Sequence, residues 1–137
     1  MNVDRRAKMA ATERAAELMK QIMEVADRRE PLFNAYAKRH TVLMDECERH
    51  VQIVVSLPDS RSSEAAKLLK QRECEAVVAL LDASGRLTDR YNLEVEQIES
   101  RLAGLLEELR PALRIAGARE RARLVATFCF WLKKTQG

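Results

Sequence analysis

Four glycines and three prolines in 137 residues are too few for a β-sandwich or barrel, which needs a turn signal about every 8–12 residues. Aromatic residues make up only 4% of the chain, and the two histidines, His40 and His50, both fall in its first half. That leaves little material for a hydrolytic triad. There is no glycine-rich phosphate loop, no nucleophile elbow and no Glu-x-x-His pair on a helical pattern. Enzymatic chemistry is therefore not expected, and no cofactor is implied. Three cysteines, Cys47, Cys74 and Cys129, are an odd number at low density, so no disulfide framework is indicated. The longest nearly apolar run, residues 124–132, is nine residues, against the roughly 20 that a membrane-spanning helix needs. The opening Met1-Asn2-Val3-Asp4-Arg5-Arg6 lacks the apolar core of a signal peptide. A reducing, cytoplasmic setting is the expectation.

What is present is apolar and charged. Hydrophobic residues reach 47%, too many for a disordered chain, and charged residues 33%. Ala, Leu, Glu, Arg and Lys dominate, the composition of long helices. The length suits a single domain over residues 1–137. The net charge of +3 is unevenly placed. Residues 110–137 hold seven basic residues against Glu120 alone, whereas residues 1–109 hold seventeen basic against twenty acidic. Only the C-terminal segment reads as a basic surface.

Periodicity divides the chain into three helical segments. The first runs over about 4–57, with Asp4 suited to an N-cap. One heptad seam reads Thr12, Met19, Ala26, Phe33, His40, Cys47, Val54, and the other Ala16, Met23, Glu30, Ala37, Met44, Val51. Leu18, Ile22, Val25, Leu32, Tyr36 and Leu43 flank the seams and widen the apolar stripe, as expected of a helix touching two neighbours. Pro31 predicts a kink or break near residues 27–30. Leu57-Pro58-Asp59-Ser60-Arg61-Ser62-Ser63 reads as the one clear loop, rich in cap-capable residues. The second segment, about 63–110, has the seam Leu69, Glu73, Ala76, Leu80, Ala83, Leu87, Tyr91, Val95, Ile98, Leu102, Leu105, Leu109. Its spacing runs 4-4 from Leu87 through Tyr91 to Val95, a stutter that locally unwinds a left-handed supercoil. Pro111 and Gly117 precede a third segment, about 118–134, with Ala118, Ala122, Val125, Phe128, Cys129 and Leu132 on one face. A short loop between long helices makes antiparallel neighbours. The fold class is therefore all-α: an elongated antiparallel, coiled-coil-like helical hairpin with a shorter third C-terminal helix.

Two constellations invite a functional reading. Cys47 and His50 lie i, i+3 on one helix face, and a hairpin turning near residues 59–60 places Cys74 opposite Asp45. Two thiolates and an imidazole, completed by Asp45 or Glu46, could begin a soft-metal site. Cys47 falls on a core seam, however, where a thiol acts as a small hydrophobe, and packing is the preferred reading; no metal is expected. The second constellation is the C-terminal cluster of Leu124, Val125, Phe128, Phe130, Trp131 and Leu132, beside Arg119, Arg121 and Arg123. Phe128, Phe130, Trp131 and Leu132 point all round a helix, so no single core contact buries them together. Either the helix is sandwiched or one side meets a protein partner. The three arginines fan round the helix and no nucleic-acid motif accompanies them, so nucleic acid is not favoured. An interfacial helix on a membrane surface has a similar pattern.

The layout resembles the FlgN-type flagellar export chaperones. The carrying residues are 28–46 (RREPLFNAYAKRHTVLMDE), 80–109 (LLDASGRLTDRYNLEVEQIESRLAGLLEEL) and the closing 124–134. The resemblance spans most of the chain and rests on periodicity and layout. It departs from the family in lacking an Asn-Gly pair in the second helix, where Asn92 is followed by Leu93. It implies a non-enzymatic chaperone of type III secretion whose third helix binds the C-terminal helices of hook-associated export substrates. The alternatives are a structural coiled coil or homodimeric scaffold, and a metal-responsive helical protein built on Cys47, His50 and Cys74.

Overall fold

The computed structural model describes residues 2–57 and 63–136; the expected loop residues Pro58 to Ser62 lie outside them. All regular structure among the described residues is helical: α1 (Asn2–Ala26), α2 (Arg29–Ser56), α3 (Glu64–Ile115) and α4 (Ala118–Gln136). By contacts the chain forms two compact units, Met1–Arg29 with Glu96–Gly137, and Glu30–Val95.

The first segment is two helices, with the break at Asp27 and Arg28. Pro31 explains its place. Its ring would clash with the carbonyl of Asp27 in a continuous helix, and its missing N–H costs nothing in the first turn of α2. The last carbonyls of α1 find partners locally. Arg28 N–H donates to Val25 O at 3.2 Å, a tightened last turn, and Arg29 Nε donates to Ala26 O at 3.2 Å. At the far end of α2, Ser56 Oγ donates to Ile53 O. Ser63 caps α3, its Oγ accepting from Ala66 N–H at 3.3 Å.

α3 continues past the expected end near residue 110, with Pro111 inside it and exposed. A proline on the solvent side leaves its orphaned carbonyl partner within reach of water, so one lost bond does not end the helix. The stop comes at Ala116 and Gly117. No residue there takes a positive φ, so the end is not the usual glycine cap. Instead, Arg121 from the first turn of α4 donates through one guanidinium nitrogen to Arg114 O at 3.3 Å and Ala116 O at 3.1 Å. A cation at the negative end of α3 also complements the helix dipole.

In the unit that holds both termini, α1, the last part of α3 and α4 enclose the main core. Ala15, Leu18, Met19, Ile22 and Val25 meet Leu105, Leu109 and Ala112, with Ile98, Leu102, Leu113, Leu124 and Phe128 packed round them. Leu18 is fully buried. Burying each such leucine contributes about 1.5–3 kcal/mol. On α1 the heptad-seam residues Met19 and Ala26 are buried as expected, but the buried stripe also takes in Ala11, Ala15, Leu18, Ile22 and Val25 on their flank, and Ala16 is exposed. A helix covered by two neighbours centres its wide stripe between the two narrow seams. Exposed Arg14 and Glu108 pair at 3.7 Å, a contact worth little in water.

The other unit is an antiparallel pair, α2 against the first part of α3. Among its described residues only Cys47 and Ser84 are buried, so this is a two-helix layer with a thin core. Tyr36 and Tyr91 stack at 4.4 Å, and Phe33 tilts against Tyr91 at 6.3 Å. Thr88 Oγ1 donates to Ser84 O at 3.0 Å, so it accepts from the Tyr36 hydroxyl at 2.9 Å. This ladder satisfies the polar groups that two aromatic-bearing helices bring together. The α3 seam is half-buried along this unit from Glu73 to Val95, but Leu69 is exposed.

Candidate partner-binding surfaces

On α4, one turn of helix separates Leu124 from Phe128, and both side chains pack on the core of α1 and α3. Phe128 stacks on Trp131 at 5.5 Å, and Trp131 and Leu132 are half-buried. Phe130 lies about 200° round the helix from Phe128. It is 68% exposed, and Val125 43%. The cluster expected to point all round the helix thus divides: Leu124 and Phe128 belong to the core, while Val125 and Phe130 face outward. Arg119 and Arg123 are exposed. Arg121 differs from them, because its guanidinium caps α3 rather than standing ready for a partner.

The thiol–imidazole constellation does not assemble. Phe33 with Tyr91, Tyr36 with Thr88 and His50 with Glu73 set the α2–α3 register about one helical turn away from the expected pairing. Cys47 is buried in the layer, whereas Cys74 is exposed. His50 Nδ1 is hydrogen-bonded to Glu73 Oε2, a half-buried pair tying the two helices together near the loop. Among the described residues no group of three or more His, Cys, Asp or Glu side chains is placed to hold a metal ion.

The observed register creates a different feature. Along one side of the α2–α3 seam lies a groove of about 680 Å³. Its floor is Val42 and Leu43 from α2 and Ala83 and Leu87 from α3. Lys38, Arg39, Arg86 and Arg90 rim it. A narrower depression of about 200 Å³ shares Arg39, Leu87 and Arg90 with it and extends the line to Leu32, Tyr36 and Glu94. Val42 is 60% exposed, an apolar side chain with no cover in this unit. None of the four rim cations has an ion-pair partner within 4 Å among the described residues.

This groove is not evident from the sequence alone. Its signal is present, in adjacent Lys38-Arg39 and in Arg86 with Arg90 at i, i+4, but those residues meet only in the correct register. Helical periodicity records which face of each helix is buried, not the register between the two helices.

Among the described residues no helix is long and apolar enough to cross a membrane. Comparison with protein-family models, with curated proteins and with solved structures finds no match to this chain.

Proposed function

We propose that this protein is a non-enzymatic helical binding module that receives a helix of a client protein on the α2–α3 hairpin. The observation that carries the reading is the two-helix layer itself. Apart from Cys47 and Ser84 its seam is only half-buried, and Val42, Leu43, Ala83 and Leu87 form an apolar trough with charged edges. A third helix laid in that trough removes apolar surface from water, and helix-in-groove recognition is a common way of using it. The FlgN-like layout extends the proposal to a cytoplasmic chaperone for flagellar, type III export substrates of the hook-associated kind. That extension rests on the resemblance alone.

A second client surface is supported by the outer side of α4, where Phe130 and Val125 stand exposed beside Arg119 and Arg123. Site-specific photo-crosslinking in the source cells separates the two. A benzophenone side chain at Val42 should capture one defined protein, and one at Phe130 should capture less of it. Capture from Phe130 alone would move the client to α4. Capture only of a second copy of the chain from both positions would establish the homodimeric scaffold instead.

A further inference from the structure

Resting on the hairpin-binding reading above, we infer that the α2–α3 groove selects an acidic amphipathic helix. The occupant lays its apolar stripe on the floor at Val42 and Leu87, and its flanking carboxylates meet Lys38, Arg39, Arg86 and Arg90.

Charge complementarity determines the choice of partner. The wider groove holds four cations and no carboxylate, and the narrower end adds only Glu94. Asp82 and Asp89 are neighbours in sequence on α3, yet they line neither depression and make no ion pair with the rim among the described residues. Four like charges brought to one trough repel one another, and an anionic ligand relieves that repulsion. The cations come from both helices. Lys38 and Arg39 follow one another on α2, and Arg86 and Arg90 stand one turn apart on α3. The groove therefore offers positive charge along both edges, the pattern matched by a helix carrying carboxylates on both flanks of its apolar stripe. The floor spans residues 32–43 of α2, about 18 Å at 1.5 Å per residue, or three turns of bound helix.

The same chemistry argues against other occupants. Single-stranded nucleic acid is commonly held by stacking its bases on open aromatic faces. The aromatic rings nearest the groove, Tyr36 and Tyr91, are stacked on each other. A second copy meeting this face symmetrically would set the four groove cations against their own copies.

The test uses the full-length protein and three hydrocarbon-stapled peptides of about 18 residues, five helical turns. One carries leucines at i, i+3, i+4 and i+7 flanked by glutamates. The second replaces every glutamate by lysine. The third is a scrambled acidic peptide without the stripe. Calorimetry should show binding of the first alone, weakening as salt is raised. Arg86→Glu with Arg90→Glu should weaken it about tenfold and confer binding of the lysine peptide. Val42→Asp should abolish both. The rim residues and Val42 are exposed, so circular dichroism should be unchanged in all variants.

Equal binding of the glutamate and lysine peptides, lost in Val42→Asp, would overturn the acidic selectivity and leave the hairpin-binding reading intact. Acidic-peptide binding that survives both sets of substitutions would overturn both. Preferential binding of a uridine-rich RNA oligonucleotide, sensitive to the charge reversals, would overturn the peptide assignment in favour of nucleic acid.

Discussion

At the scale of single residues, Gly85 offers a clean test of why a residue is where it is. A Cβ built there meets no atom within 4 Å, and the backbone is ordinary right-handed helix. Nothing in the packing requires glycine, so Gly85→Ala should stabilise the protein by about 0.5–1 kcal/mol, the usual helix-propensity gain. Urea denaturation measures it. A loss of stability would mean that close helix approach, not exposure, governs that position. Some residues announce their roles without a structure. Pro31 marks the α1–α2 break because a ring clash depends on local covalent geometry. The role of Arg121 is different. It reads as one of three fanning arginines, and only the tight turn at Ala116 and Gly117 brings its guanidinium onto the carbonyls of α3. Contacts between elements carry no mark in the local sequence.

At the scale of elements, the seam of α3 is the most legible feature. From Glu73 to Leu109 every seam residue is at least half-buried, including the stutter at Leu87, Tyr91 and Val95. Apolar spacing over many turns records which face a helix buries. It does not record which helix buries it. Leu80 and Leu102 read alike in sequence, yet Leu102 packs on the Leu18–Leu109 core while Leu80 lies in the thin two-helix layer. The same limit governs α4. Its aromatic cluster suggests a helix free for a partner, and truncation after Leu109 then leaves a folded hairpin. Leu124 and Phe128 instead complete the core. Removing residues 118–137 should therefore destabilise the unit of α1 and the end of α3 by about 2–4 kcal/mol, the burial of two large side chains. Thermal unfolding of the truncated chain checks this. An unchanged midpoint would show that α4 contributes nothing to that core.

At the scale of the whole molecule, one chain builds two kinds of helical unit. One has three helical layers and a closed core of leucine, isoleucine, methionine and alanine. The other has two helices, with apolar residues such as Val42, Val55, Val78 and Leu81 more than half exposed. All-α class, long helices and an antiparallel hairpin follow from composition and period. The division into two units does not, because α3 runs through both as one continuous helix. The groove was hidden for a related reason: a pairing of α2 with α3 shifted by about one helical turn changes which charges face each other. The central claim is that the hairpin, not α4, is the client surface. Amide hydrogen exchange on the full-length protein, with and without the acidic stapled peptide, tests it most directly. Added protection is expected over residues 32–43 and 83–94, and none over 118–134. Protection confined to 118–134 would contradict it.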